Sequence, residues 1–102
     1  MRVITRKRLE EYGRKHPDAR ASLFAWHEVA RRERWQSIVD VRRAFPSADA
    51  ATVKSGRTVT IFNIRGNNYR LIVAIHFNTQ VVYVMRFLTH AAYDKEGWKE
   101  TL

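Results

Sequence analysis

Two hydrophobic periods divide the chain. Before Pro46 the apolar residues recur every three or four positions, as on one face of a helix, and after it they alternate or run together, as in strands. Residues 1–5 predict a short strand, with Thr5 placed to cap a helix that holds Leu9 and Tyr12 on one side and stops at His16, before Pro17. Asp18 suits the N-cap of a second helix, in which Ala19, Leu23, Trp26 and Ala30 form the best stripe in the chain, flanked by Ser22 and Val29. The charged run 31–34 ends it and Trp35 begins a connection. Ser37 and Asp40 have the spacing of a capping box, and Ile38, Val41 and Phe45 continue as one face of a short third helix closed by Pro46. Residues 46–56 carry little periodicity and read as a loop or a weak helical turn.

Residues 59–64, 69–77 and 81–88 are rich in β-branched and aromatic side chains and predict a three-strand meander. Arg65-Gly-Asn-Asn68 suits a turn with positive φ, and Asn78-Thr79 the next one. In the middle strand Tyr69, Leu71, Val73, Ile75 and Phe77 share the face expected under the helices. Arg70, Ile72, Ala74 and His76 point the other way, onto a face expected to be partly open. Residues 94–102 read as a short amphipathic tail, with Trp98 to hold it down and Trp26 and Trp35 as packing anchors. The expected fold is α+β: one domain spanning 1–102, with N-terminal helices on one face of a mainly antiparallel sheet.

A chain of 102 residues with 45% hydrophobic side chains can bury a core but not two. Without cysteine, disulfides, thiolate zinc sites and thiol catalysis are excluded. No apolar stretch is long enough to span a membrane and the N-terminus has no signal-like run, so a cytoplasmic protein is expected. The net charge of +9 points to a polyanionic partner. Within residues 1–45 acids and bases interleave and can satisfy one another on helix faces. Between Ala50 and Tyr93 there is no Asp or Glu, yet Lys54, Arg57, Arg65, Arg70 and Arg86 are present. Such a surface attracts phosphates and offers no carboxylates for magnesium, so chemistry on RNA or DNA there would rest on His, Tyr, Arg and Lys. An acidic protein partner could use the same surface.

Among the candidates, His90 and Tyr93 lie just beyond the last strand, three apart, where one helical turn aligns them; a structural cap is the alternative. Arg70, in mid-sheet, either pairs with a helix acid such as Glu10 or Asp40 or faces a ligand. Lys54 and Arg57 could clamp a phosphate or be simply solvated. His76 lies on Arg70's side but about 20 Å along the strand, and His16 and His27 read as structural or exposed. No spacing forms a metal site, a Ser/His/Asp triad or a Gly-rich phosphate loop.

The segments Val59-Thr-Ile-Phe-Asn-Ile-Arg-Gly-Asn-Asn-Tyr-Arg-Leu-Ile72, Val81-Val-Tyr-Val84 and Thr89-His-Ala-Ala-Tyr-Asp-Lys95, with Trp35-Gln-Ser37 and Phe45-Pro-Ser-Ala-Asp49, resemble the HigB-type toxins of bacterial type II toxin-antitoxin modules, in the RelE-like superfamily. The pair Gly66-Asn-Asn-Tyr-Arg-Leu71 and Thr89-His-Ala-Ala-Tyr-Asp94 is what makes the likeness specific. It implies a RelE-like α+β domain and a ribosome-dependent endoribonuclease that cuts translated mRNA. A HigA-type antitoxin, commonly with a helix-turn-helix domain, would neutralise it. It implies no cofactor and no metal: the ribose 2′-OH attacks the neighbouring phosphate. By position, Arg70 would stabilise the phosphorane-like transition state, His90 would serve as general acid or base, and Tyr93 would orient or share the proton. Arg65, Asn67, Lys54, Arg57 and Lys95 would hold mRNA or ribosomal RNA. Two other readings remain open: a non-cleaving RelE- or ParE-like toxin, and a basic nucleic-acid-binding module without toxicity.

Overall fold

The computed structural model describes residues 1–4 and 6–102, so the expected cap at Thr5 lies outside the described residues. Strand β1 (Arg2–Ile4) precedes α1 (Arg6–Lys15), a 3-10 turn at Pro17–Ala19, α2 (Arg20–Arg32) and α3 (Ile38–Ala44). Then come β2 (Asp49–Thr52), β3 (Thr58–Ile64), β4 (Tyr69–His76), β5 (Val81–Thr89), α4 (His90–Asp94) and α5 (Trp98–Thr101). The sheet order is β1-β5-β4-β3-β2; β1 runs parallel to β5 and every other pair is antiparallel. This is the expected α+β domain with its meander.

The two faces of β4 divide as their parity predicts. Tyr69, Leu71 and Val73 pack with Leu9, Leu23, Trp26, Ala30, Trp35, Val41 and Phe62 under the helices. Trp26, Trp35, Leu23 and Leu71 are almost fully buried there, each contributing about 1.5–3 kcal/mol through burial. On the other face Val53, Val59, Ile61 and Ile72 form a smaller core roofed by Trp98, against which Met85, Leu88, Tyr93 and Leu102 pack. The tail therefore covers the β3 side of this face, and Ser55 donates to the Leu102 carbonyl oxygen at its far end (2.6 Å).

Three local expectations are corrected. Asp18 does not cap the second helix: it lies in the 3-10 turn and its carboxylate accepts from the Tyr69 hydroxyl (2.8 Å), which holds that proton in place and raises the phenol's pKa. Asp40 misses the capping box by one residue, accepting from the Gln36 backbone N–H (2.9 Å) while the Ser37 hydroxyl makes no cap bond. Residues 49–52, expected as loop, form edge strand β2. It carries no apolar alternation because it is largely exposed, and its order comes from pairing with β3. The β3–β4 turn takes positive φ at Arg65 (53°) and Gly66 (62°), whereas in the next turn positive φ falls on Gln80 (59°), one residue beyond Asn78-Thr79.

Among the described residues no helix is long and apolar enough to cross a membrane. His27, on the flank of α2, is partly buried; that burial, followed by the nearby Arg6, pushes its pKa below 6.5. Because the folded value lies below the unfolded one, the associated stability is complete above about pH 6.5 and is lost as pH falls through the folded pKa. The urea midpoint should thus drop less between pH 7 and pH 5 in His27→Gln than in the unsubstituted protein, and equal drops would remove His27 from the titration.

Candidate active site

At one end of the sheet the β3–β4 turn, the start of β4 and the end of β5 meet α4. Residues Arg65 and Gly66 adopt left-handed φ, which bends the turn back so that Asn67 lies beside Arg70. The Arg70 guanidinium donates through Nη1 to the backbone oxygens of Asn67 and Tyr69 (both 3.1 Å) and through Nη2 to Asn67 Oδ1 (3.3 Å). Its Cζ lies 5.4 Å from the centroid of the Tyr93 ring, a cation–π arrangement. Arg70 is only 9% exposed, and among the described residues no carboxylate lies within 4.0 Å of it. Neither Glu10 nor Asp40 serves it: Glu10 lies 3.9 Å from Arg6, and Asp40 pairs with Arg43 at 3.1 Å.

Thr89 caps α4 by accepting from the Ala92 N–H (3.2 Å), and the His90 N–H donates to the Asn68 carbonyl (3.0 Å), so the first turn of the helix is fixed to the turn that holds Arg70. One nitrogen of the His90 ring, Nδ1, stands 3.5 Å from Arg70 Nη2; the other, Nε2, stands 3.3 Å from Asp94 Oδ2. An arginine can only donate, so Nδ1 is the acceptor and the proton resides on Nε2, facing the carboxylate. About half of the His90 side chain is open to solvent, so this contact adds little stability and its consequence is orientation. Asp94 is a group the sequence reading passed over. Its signal was the i, i+4 spacing from His90 inside the quoted motif.

Tyr93 lies on the same side of α4 as His90, but its ring is stacked on Trp98 (5.3 Å between centroids, 15° between planes), and the Trp98 indole donates to the Tyr93 carbonyl (3.1 Å). The stack therefore joins the Arg70 end of the sheet to the roof of the second core. Tyr93 covers Arg70 with its face, a positioning contact that motif spacing does not reveal.

The other candidates separate into two groups. Arg65 and Asn67 sit at the Arg70 end, Arg65 paired with Asp18 (3.2 Å) and about half exposed. Lys95, the exposed C-cap of α4, is also nearby. Lys54 and Arg57 stand at the opposite end of β3. Lys54 pairs with Glu100 (3.3 Å) and donates its backbone N–H to the Lys99 carbonyl (3.0 Å), anchoring the tail. Arg57 borders an open depression with His76 and Tyr83. Among the described residues, no group of three or more His, Asp or Glu side chains comes together as metal ligands would.

What this arrangement offers is a desolvated, fixed cation that no carboxylate among the described residues pairs with, beside an imidazole oriented by Asp94, the equipment for holding a phosphate and moving a proton near it. The profile of a family described as HigB_toxin, the RelE-like toxic component of a toxin-antitoxin system, matches residues 19–96. The chain is 30% identical over 95 residues to the mRNA interferase HigB of Escherichia coli O6:H1, covering 93% of this chain and 90% of that one. It is also similar to the mRNA interferase toxin HigB of Escherichia coli strain K12, at 28% over 94 residues, covering 92% and 88%.

Proposed function

From the premise that this chain belongs to the HigB family of RelE-like toxins, we propose that it is an endoribonuclease that cleaves mRNA on translating ribosomes and is silenced by a cognate HigA-type antitoxin. The observation that carries this reading is Arg70, a buried guanidinium held by Asn67, Tyr69 and Tyr93 and left without a carboxylate. A cation in that state is costly unless an anion completes it, and a scissile phosphate is such an anion.

In the reaction the phosphate enters between Arg70 and His90. The ribose 2′-OH attacks the adjacent phosphorus, the P–O5′ bond breaks, and a 2′,3′-cyclic phosphate and a 5′-hydroxyl result. As the phosphate draws Arg70 away from it, Nδ1 of His90 takes the 2′-OH proton and Asp94 stabilises the imidazolium that forms; a solvent water gives the departing O5′ its proton, and the imidazolium returns its own to the hydroxide left behind. Arg70 neutralises the charge that grows on the equatorial oxygens, its donors already oriented. Tyr93 keeps the guanidinium in place. Arg65, Asn67 and Lys95 line the approach at this end, where Arg65 and Lys95 add attraction for the backbone.

Primer extension on an mRNA translated by purified ribosomes tests the reading. Position-specific cuts with the protein, none on stalled-free naked RNA of the same sequence, and suppression by the antitoxin are expected. Growth arrest without cuts would shift the conclusion to a non-cleaving toxin. Because the donors that act are side chains of this chain, cleavage should persist in EDTA at concentrations that leave ribosomes intact, and a requirement for added divalent ion beyond theirs would contradict the scheme.

A further inference from the structure

The open face of the sheet continues past Arg70. By parity, Ile72, Ala74 and His76 follow it along β4, and Tyr83 pairs with Ala74 on the neighbouring strand. A register shift between Ile72 and Val73 leaves Met85 unpaired on β5, with Arg86 opposite Ile72. Beyond the edge of the tail, Arg57, Ala74, His76, Tyr83 and Met85 line a depression of about 540 Å³. The His76 and Tyr83 rings meet edge to face, 5.0 Å between centroids at 67°, and hold one another in place. Both side chains are accessible, whereas Ala74 beneath them is buried.

We propose that this depression is a nucleobase subsite, which takes a base of the cleaved mRNA strand a few nucleotides from the scissile phosphate and so contributes to where the strand is cut. The proposal rests on the nuclease reading above and extends it. Ala74 and His76 lie four and six residues from Arg70, roughly 13 to 20 Å at about 3.4 Å per residue, along one continuous face. Arg86 lies in register between the two ends, opposite Ile72, its Nη1 donating to the Met85 carbonyl oxygen (3.0 Å). No carboxylate occurs from residue 50 to residue 93 to repel the backbone on the way. Two rings at an angle with a guanidinium at their margin present the stacking and cation–π surfaces that an unpaired base uses. The small Ala74 leaves the floor low enough to admit a flat ring, whereas a longer side chain there would fill it.

The ligand is committed to the cleaved strand rather than to ribosomal RNA or the antitoxin, and the test separates these. Cut sites and rates are mapped on a translated mRNA library for the unsubstituted protein and for Tyr83→Ala, Tyr83→Phe, His76→Ala and Arg57→Ala, with thermal melts to establish folding. His76 and Arg57 are exposed, so their variants remain informative if Tyr83→Ala is unstable. The expected result for Tyr83→Ala and His76→Ala is a rise in KM of roughly five- to a hundred-fold, larger than any fall in kcat, the range that loss of one base stack produces. Base preference a few positions from the cut should flatten, with Tyr83→Phe restoring it. A uniform loss with preference intact would assign the depression to ribosomal RNA and overturn the proposal. Unchanged cleavage with weakened antitoxin binding would assign it to the protein partner, also overturning it. Unchanged behaviour in all variants of a cutting protein would overturn the subsite alone, whereas no cuts by the unsubstituted protein would overturn the nuclease reading and the subsite with it.

Discussion

Arg70→Ala is expected to yield a folded protein that no longer arrests growth. Removing the guanidinium leaves the Asn67 and Tyr69 carbonyl oxygens without this donor, at a cost of about 1–3 kcal/mol for such groups, but it also removes a buried cation that has no anion. A domain of ordinary stability, about 5–15 kcal/mol, survives that change. The function does not, because fixed donors that face a developing oxyanion are worth roughly two to three orders of magnitude in rate each. Arg70→Lys should recover part of the charge without the forked geometry and fall between the two. Induced growth curves beside circular dichroism decide it: arrest by a folded Arg70→Ala protein removes Arg70 from the centre of the site.

His90→Gln should lower single-turnover cleavage by roughly two to four orders of magnitude while RNA still binds. Gln can keep a hydrogen bond towards Asp94 but cannot carry the proton from the 2′-OH. The pH–rate profile should lose the limb that the imidazole supplies. Asp94→Asn should act in the same direction with a smaller effect, since it leaves the base and removes only the group that orients it. A rate equal to that of the unsubstituted protein would assign proton transfer to another residue, with Tyr93 the next to substitute.

The residues that were legible in the sequence are those whose placement depends on periodicity. Alternation in β4 placed Leu71 and Val73 under the helices and Arg70 on the far face, and the four-three-four spacing of Ala19, Leu23, Trp26 and Ala30 selected the residues that are buried. Strand β2 was not legible because Asp49, Ala50 and Thr52 are exposed edge residues whose structure derives from a partner strand. Asp18 had the right residue type for a cap, but a more distant competitor, the Tyr69 hydroxyl 51 residues along, takes its carboxylate. The site shows the same division. His90 and Tyr93 were found from local spacing, whereas the contacts that orient them, the Arg70 guanidinium against His90 and the Trp98 ring against Tyr93, come from tertiary packing. The separation of Lys54 and Arg57 from the Arg70 end follows from the length of β3, which places the two ends of that strand on opposite sides of the sheet.

The parallel pairing of β1 with β5 has a consequence for the birth of the protein. Residues 2–4 pair with residues 81–83, across the whole helical half and most of the meander. Contacts so far apart in sequence form slowly and only after the intervening chain exists. During synthesis the amino-terminal strand must therefore wait with its edge unsatisfied, and α4, which brings His90 and Asp94, emerges later still. The contact of Arg70 with His90, which joins the start of β4 to α4, can therefore form only once β5 is in place.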